Sequence, residues 1–364
     1  MMNFYRISFC TVCMNRTLHL KETLLKNISD NSAYPNLEYV LLNYGSKDEM
    51  HEWVTGEMSQ YLESGLLKYY KADFPEVFKM SHSKNMVFKL ATGDILCGLD
   101  ADNFTGPGFA AYINKLFAKD QNIFLAPPWI GPGRKWWDVQ GRLCLWKKDF
   151  YRFRGYDEGI VDYGYDDQDF KYRMIDAGRR KSIVRTGRFL QAIEHTDELR
   201  IAGGLTSKML VNVLLAKKTD REWEMRYLRT DNQFEQFRVL APGITFDQAH
   251  QPNCDATGKL VLKLSGYATG NYNVQDAGIV FRQENGAALE LFSRDQQQEL
   301  VTSNGVAYYR LGPGRLQDQL LMGRACFMGK MKLLDNKQRR TVINQQGFGQ
   351  GPVIAHASGQ QLVL

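Results

Sequence analysis

The 364-residue sequence lacks several features that assign proteins to common classes. It has no uninterrupted apolar run of about 18 residues, so we expect no transmembrane helix. The first ten residues, MMNFYRISFC, lack a signal-peptide layout and run directly into a predicted strand. A strong excess of one charge is also absent, because 46 Lys and Arg oppose 40 Asp and Glu. This balance argues against a dedicated nucleic-acid surface but leaves open a local basic groove for phosphates or a membrane surface.

Cysteine is scarce, with six residues scattered along the chain. Cys10 and Cys13 form a CxxC pair, but no second pair lies at a spacing typical of a zinc site. A thioredoxin-like pair would begin a helix, whereas this one ends an apolar strand. We therefore interpret the cysteines as buried free thiols in a reducing cytosol.

The first 200 residues alternate apolar strand-like runs with amphipathic helix-like segments. This alternation predicts right-handed βαβ units and a mostly parallel α/β sheet. The predicted strands are 5–13, 37–46, 66–72, 94–100, 122–130, 181–186 and 189–195, and another begins at 141. The predicted helices are 17–29, 48–64, 81–92, 106–120 and 164–178.

The pattern changes near residue 235. Before it, residues 205–230 are highly charged and predicted to be mixed helical. After it, short alternating strands separated by Gly, Asn and Asp predict an antiparallel sandwich or barrel without a long helix. We therefore expect an α/β domain over 1–234 and a smaller β-rich domain over 235–364. The Gly/Gln-rich end, 343–364, is predicted to be only partly ordered.

Two acids, Asp100 and Asp102, follow the fourth predicted strand. In parallel sheets, ligands bind beyond the carboxyl ends of the strands. Three interpretations apply to the pair: a solvated turn, a cap of the next helix, or a site for a hard divalent cation. A second acidic cluster begins a predicted helix, where acids stabilise the helix dipole. Its three acids in four residues, Asp166, Asp167 and Asp169, exceed what capping needs.

Four segments together resemble the inverting glycosyltransferases of the GT-A fold, family 2 in particular. They are, in order, ISFCTVCMNR, LEYVLLNYGSKDE, SHSKNMVFKLATGDILCGLDADN and GYDEGIVDYGYDDQDFKYRMIDAG. The last segment is also similar to the acidic motif of galactosyltransferases and polypeptide N-acetylgalactosaminyltransferases. The resemblance covers more than half of the chain, and the final third has no counterpart. The sequence departs from the family pattern at two places. It has Asn43-Tyr44 where the family commonly has acids, and Asp166-Asp167 where the family usually has Glu-Asp.

The resemblance implies a nucleotide-sugar-binding, Rossmann-like sheet and assigns roles to individual residues. Asp102, with Asp100 and His195, would bind Mn²⁺ or Mg²⁺, and Asp167 would be the general base. Trp136 or Trp137 would stack on a sugar, and Asp166 and Asp169 would bind donor or acceptor hydroxyls. Arg16 and Lys84 lie near strand ends or a helix start, where they would contact phosphate or remain solvated surface charges. The full nucleotide-binding set is Thr11, Asn15, Arg16, Asn43, Lys84, Asn85, Asp100 and Ala101.

The activity implied is inverting transfer of a hexose or N-acetylhexosamine from a UDP-sugar to a glycan or lipid-linked acceptor. The setting implied is bacterial surface polysaccharide synthesis in the cytoplasm or at the periphery of the inner membrane. The C-terminal domain would bind acceptor, mediate oligomerisation or dock a membrane-associated partner. Two rivals are a metal-dependent sugar nucleotidyltransferase, against which the glycine-free loop CTVCMNR argues, and a non-catalytic sugar-binding protein.

Overall fold

The computed structural model describes residues 4–128, 137–194, 196–255, 260–293 and 299–364. The chain forms two compact units. The first comprises Met1–His195 and Gly329–Leu364, and the second comprises Thr196–Met328. A functional division after residue 234 stays a prediction. Among the described residues, no helix combines the length and the apolar character needed to cross a bilayer.

The first unit begins with alternating strands and helices, numbered here along the chain. Its strands are β1 (Ile7–Cys13), β2 (Leu37–Tyr44), β3 (Leu67–Ala72), β4 (Ile95–Gly98), β5 (Asn103–Phe104), β6 (Ile123–Ala126), β7 (Cys144–Trp146), β8 (Arg180–Ile183) and β9 (Gln191–Ala192). Its helices up to His195 are α1 (Thr17–Asp30), α2 (Met50–Gly56), α3 (Ser59–Glu63), α4 (Met80–Leu90), α5 (Phe109–Lys119), α6 (Lys147–Arg152) and α7 (Asp166–Asp176).

The second unit is rich in antiparallel strands. Its helices α8 (Asp197–Ile201) and α9 (Leu205–Lys208) precede strands β10 (Leu210–Lys217), β11 (Glu222–Arg229), β12 (Gln233–Leu240), β13 (Ile244–Phe246), β14 (Pro252–Cys254), β15 (Lys263–Gln275), β16 (Gly278–Gln283), β17 (Ala288–Ser293), β18 (Glu299–Val301) and β19 (Ala307–Leu311). Among the described residues, all of these strands except β13 and β14 form a closed barrel, in which β19 pairs with β10. The barrel confirms the predicted antiparallel β-rich region.

The end of the chain departs from the prediction in two ways. Helix α10 (Arg315–Arg339) is 25 residues long, where no long helix was expected. The closing segment is ordered and contains β20 (Pro352–Ala355) and β21 (Gln361–Val363). Strand β20 pairs with the edge strand β3, so the end of the chain extends the sheet of the first unit.

The sheet of the first unit is mostly parallel, as predicted. Its strand order is β21-β20-β3-β2-β1-β4-β7-β6-β8. Strand β1 pairs in parallel with both β2 and β4, and β2 pairs in parallel with β3. Strand β7 is antiparallel to both of its neighbours, β4 and β6. The carboxyl ends of β1 to β4 therefore share one edge of the sheet.

Apolar side chains cover both faces of this sheet, which explains the nearly continuous hydrophobic strands. One face packs against α1, α2 and α5, through residues such as Leu24, Trp53 and Phe109. The other packs against α4 and α7, through residues such as Phe88 and Phe170. Cys13 belongs to the first face and Cys10 to the second. The CxxC cysteines thus point to opposite faces and are buried thiols, as predicted.

Candidate active site

The predicted acidic pair lies in a tight loop after β4. The backbone N–H of Asn103 donates to the carbonyl of Asp100 over 3.0 Å, which closes the loop into a turn. Helix α1 supports the same loop, because the Thr23 hydroxyl donates to the Ala101 carbonyl over 2.6 Å. Both aspartates are partly buried, whereas Ala101 is 9% exposed. The loop is thus held through its backbone, and Asp102 Oδ1 accepts a 2.7 Å bond from Asn103 Nδ2.

Asp100 shows the electrostatic character of the site. Its pKa is raised to about 7, first by burial and then by the nearby carboxylates of Asp102, Asp167 and Asp166, while Lys84 opposes the shift. Its carboxylate lies against Gly141, where an added Cβ would come within 2.5 Å of Oδ2. The two acidic motifs that the sequence separates by more than 60 residues therefore share one electrostatic cluster.

The second acidic motif begins α7. The chain reaches the helix through two left-handed residues, Gly164 and Tyr165, with φ of 95° and 70°. This turn starts the helix at Asp166, which is 3% exposed, and Asp167 follows it. Burial raises the pKa of Asp167, the neighbouring Asp166 raises it further, and Lys84 and Lys171 oppose both effects.

Lys84 of α4 pairs with both acids. Its Nζ lies 2.7 Å from Asp166 Oδ2, and 3.0 and 3.1 Å from the two carboxylate oxygens of Asp167. It also lies 5.1 Å from the centre of the Tyr156 ring. Burial alone would lower the pKa of Lys84, but Asp166 and Asp167 raise it well above its ordinary value. Lys84 is therefore a buried cation within the acidic cluster.

The nucleotide-side candidates lie at the carboxyl ends of β1 and β2. Thr11 is buried near the end of β1. Asn15 has a left-handed φ of 55° and accepts a 2.7 Å bond from the N–H of Lys47. Burial lowers the pKa of Arg16, and Asp102 opposes this shift, so the guanidinium lies close to the acidic loop. Asn43 is 1% exposed and donates to the Tyr69 hydroxyl over 3.0 Å.

Two predicted site residues have structural partners instead. Asn85 is fully buried and bonds the carbonyl and the N–H of Tyr156, over 2.9 and 2.8 Å. Asp169 is 2% exposed, pairs with Arg173 over 2.8 Å and accepts from Asn336 over 3.1 Å. Asn85 thus holds the backbone of Tyr156, whereas Asp169 bonds the side chains of Arg173 and Asn336. A direct ligand contact by either residue stays a prediction.

Three predicted residues lie at the limits of the described chain. Trp136 and His195 fall outside the described residues. Trp137 begins a short 3₁₀ helix, Trp137–Val139, but its side chain is not among those described.

Sequence reasoning missed two buried residues of the site. Lys171 follows Asp167 by four positions on α7, and its Nζ donates to the Gln140 carbonyl over 2.8 Å. Burial lowers the pKa of Lys171 to about 8, with Asp167 opposing the shift. Tyr156 is fully buried beside Lys84. The spacing of four on a predicted helix was the one available signal, and it points to Lys171.

The donor set fits a hard divalent cation that a ligand helps to bind. Among the described residues, no three His, Cys, Asp or Glu side chains form a group that could hold a metal ion. Mg²⁺ and Mn²⁺ sites often use only one or two carboxylates together with substrate phosphates. Asp100 and Asp102 provide such a pair. Burial raises the pKa of Asp100 most, and the nearby carboxylates add a smaller repulsion that a cation would relieve.

The family comparison agrees with the predicted resemblance. Residues 8–183 match the model of the family described as glycosyl transferase family 2. This range runs from the second residue of β1 to the end of β8 and contains both acidic motifs. A search of curated proteins finds no match to the sequence.

Several solved structures resemble the chain at low sequence identity. The mannosyltransferase PcManGT from Pyrobaculum calidifontis, in complex with GDP-Man and Mn²⁺, is 19% identical with a TM-score of 0.41, and the match covers 50% of this chain and 55% of that one. S. aureus TarS 1–349 in complex with UDP-GlcNAc is 13% identical with a TM-score of 0.40, covering 53% and 62%. GalNAc-T7 with UDP, GalNAc and Mn²⁺ is 11% identical with a TM-score of 0.43, covering 87% and 80%. The chain thus spans less than two thirds of the first two structures.

Proposed function

Residues 8–183 are a glycosyltransferase family 2 domain, and from this premise we propose that the protein transfers a sugar from a nucleotide-sugar donor to an acceptor hydroxyl. The donor is UDP-linked, the sugar is a hexose or an N-acetylhexosamine, and the anomeric centre is inverted. The observation that supports this proposal is the single cluster formed by Asp100, Asp102, Asp166 and Asp167. The cluster provides carboxylates that can bind a cation and a separate carboxylate that can act as the general base.

Asp102 and Asp100 would hold Mn²⁺ or Mg²⁺ together with the donor diphosphate, and the resemblance adds His195. Such an ion stabilises the negative charge of the leaving diphosphate and orients it. Arg16 would contact a phosphate oxygen, and the effect of Asp102 on the pKa of Arg16 supports a position near the acidic loop. Thr11, Asn15, Asn43 and Ala101 complete the nucleotide side of the proposed site.

Asp167 would accept the proton of the acceptor hydroxyl as that oxygen attacks C1 of the sugar. Burial raises the pKa of Asp167, which brings its proton affinity closer to that needed by a general base near neutral pH. Lys84 holds this carboxylate in place and also pairs with Asp166. Trp136 or Trp137, with Asp166 and Asp169, would contact donor or acceptor sugars.

The biological setting follows from the family resemblance. We place the protein in bacterial surface polysaccharide synthesis, with a glycan or lipid-linked acceptor, in the cytoplasm or at the periphery of the inner membrane. The barrel would bind acceptor, mediate oligomerisation or dock a partner. Nucleic acid is not an expected partner.

The test combines nucleotide binding with product analysis. Thermal shifts with UDP, GDP and their sugar conjugates should be larger with Mn²⁺ than without it, and they should be lost in Asp102→Asn. With a donor and an acceptor panel, the product should be a nucleoside diphosphate. Asp167→Asn should lower kcat by about 10²–10⁴-fold while the shifts remain.

The matched control for Asp167→Asn is Asp176→Asn, an exposed acid at the other end of α7. Release of pyrophosphate would favour the nucleotidyltransferase. Tight UDP binding without turnover, unchanged by Asp167→Asn, would favour a non-catalytic sugar-binding protein. Absence of any Mn²⁺-dependent shift would contradict the proposal.

A further inference from the structure

Arg142 is a fully buried cation behind the acidic loop, just before β7. Its Nη2 donates to Asn103 Oδ1 over 3.0 Å and to the Phe104 carbonyl over 2.9 Å. Its guanidinium carbon lies 5.5 Å from the centre of the Phe109 ring. Within the described chain, its Nε and Nη1 have no hydrogen-bond partner. A charged group buried with so few partners is destabilising by itself, so its position calls for a compensating role.

Asn103 connects Arg142 to the acidic pair. It is fully buried, and its Nδ2 donates to Asp102 Oδ1 over 2.7 Å and to the Asp138 carbonyl over 3.1 Å. Rotating the amide by 180° would set its NH₂ group against the guanidinium, with two donors facing each other. Arg142 therefore determines which amide atom faces Asp102, and so fixes the orientation of the Asp102 carboxylate.

The charges support the same connection. Burial lowers the pKa of Arg142, and among the groups that oppose this shift are Asp100 and Asp102. The guanidinium thus partly balances the two carboxylates before any cation binds. The loop backbone is held separately, because Asn27 Nδ2 donates to the Asn103 carbonyl over 2.9 Å. Arg142 also bonds the Phe104 carbonyl, and toward the acidic pair it contributes side-chain orientation and charge.

We propose that Arg142 is a positioning residue that acts through Asn103 to orient Asp102 for a divalent cation. This inference rests on the proposed function, because it takes Asp102 as the cation ligand. Both bonds come from one guanidinium nitrogen, Nη2, at the end of a side chain that reaches farther than that of a lysine. A lysine would keep the charge but lose this geometry. Partners that orient a metal ligand typically change metal affinity by about 10–100-fold when they are removed.

The experiment measures Mn²⁺ affinity directly, from the free-Mn²⁺ electron paramagnetic resonance signal in the presence of UDP. Arg142→Lys and Asn103→Ala should each weaken Mn²⁺ binding by about 10–100-fold. The double variant should be no weaker than the worse single variant, because both changes break one connection. Titrations run well below each melting temperature, and Asn103→Ala tests the connection even if Arg142→Lys does not fold. Arg180→Lys, whose side chain is 70% exposed, is the matched control.

The outcomes separate this inference from the proposed function. Wild-type protein that binds Mn²⁺ while both variants bind it equally well overturns the positioning role only. Losses that multiply in the double variant show independent contributions and overturn it as well. Wild-type protein that binds no Mn²⁺ with UDP, or an Asp102→Asn variant that binds it normally, overturns the assignment of Asp102 and with it this inference.

Discussion

Lys84 Nζ lies within 3.1 Å of both carboxylate oxygens of Asp167, the proposed general base. The two residues are 83 positions apart and lie on helices α4 and α7. From the sequence, Lys84 was expected to contact phosphate or to remain a solvated surface charge. Its side chain is 12% exposed and pairs with the acids that begin α7, and a phosphate contact stays a prediction. The base is therefore held in position by a cation from another helix.

Replacing this cation should affect both stability and rate. Lys84→Met leaves the buried Asp166 and Asp167 carboxylates without their ion-pair partner, which costs about 3–5 kcal/mol. The loss of stability should be larger at pH 8 than at pH 5. The unpaired acids bind protons more readily, and protonation at pH 5 removes part of the cost of burying their charge. Denaturant unfolding at the two pH values measures it, and kcat should fall together with the stability at neutral pH.

Lys79→Met is the control for this change, since Lys79 is exposed and directly precedes α4. Lys84→Arg should recover part of the stability by keeping the charge. A Lys84→Met protein as stable as wild type at pH 8 would show that the ion pair contributes little.

The position of Gly141 offers a test of the acidic loop. In Gly141→Ala, the new Cβ would lie 2.5 Å from Asp100 Oδ2, so the carboxylate must move. Because that carboxylate is the flexible end of a side chain, the fold should survive, and Mn²⁺-dependent nucleotide binding should weaken about tenfold. Isothermal titration with UDP and Mn²⁺ measures this effect.

Gly56→Ala provides the comparison, because a Cβ at Gly56 meets nothing within 4 Å. Equal Mn²⁺ affinity in Gly141→Ala and wild type would show that Asp100 does not help to bind the cation.

The sequence predicted the parallel part of the sheet well. Each of the first four predicted strands and the helices between them is present, because buried parallel strands appear as continuous apolar runs. The segment 205–230 is different: its prediction as mixed helical is wrong from residue 210 onward, where β10 and β11 lie. Charged and apolar residues alternate over EWEMRY, the first six residues of β11, which is a strand pattern.

The site was predictable as a set of motifs but not as a set of contacts. Asp100, Asp102 and Asp167 were found because acids follow a strand or begin a helix. The pairing of Lys84 with Asp167 and the support of Asp102 by Arg142 depend on long-range packing, which no local pattern reports. Asn85 and Asp169 show a second limit of motif-based prediction. A polar residue next to a motif can form structural hydrogen bonds or ion pairs with its neighbours.

Glu38 gives a prediction about acid stability. At 1% exposed, it accepts bonds from Lys68, Arg6 and Ser8 over 2.7, 2.9 and 2.5 Å. Burial would raise the pKa of Glu38, but Lys68, Ser8 and Thr92 lower it to about 2. Because the folded pKa is depressed, the stabilisation is complete above the unfolded pKa of about 4.5 and is lost as the pH falls toward about 2.

Glu38→Gln should therefore lower the free energy of unfolding by about 2–4 kcal/mol at pH 7. The difference from wild type should shrink between pH 4.5 and pH 2, which urea unfolding across this window would measure. Glu57→Gln, an exposed acid at the end of α2, should change nothing. A difference that is constant with pH would mean that Glu38 acts through shape rather than charge.

The end of the chain belongs to the first unit and contributes hydrogen bonds to it. The β-rich composition of the C-terminal third did not predict this. Asn344 Nδ2 donates to the carbonyls of Arg154 and Tyr156, each over 2.7 Å, and its Oδ1 accepts from the N–H of Glu158 over 3.1 Å. Asn336 donates to Asp157 over 2.6 Å and to Asp169. These contacts hold the segment that leads into Asp167.

A chain that ends at residue 234 should therefore fail to give a stable catalytic unit, although the predicted domain boundary lies there. It loses Asn336, Asn344 and the strand β20 that covers β3. The point variant Asn344→Ala should cost about 1–3 kcal/mol, because it leaves buried backbone groups unpaired. Gln345→Ala, exposed and adjacent, is its control in thermal unfolding. A soluble 1–234 fragment that melts cooperatively at the temperature of the full chain would contradict this prediction. It would show that the closing segment does not stabilise the first unit.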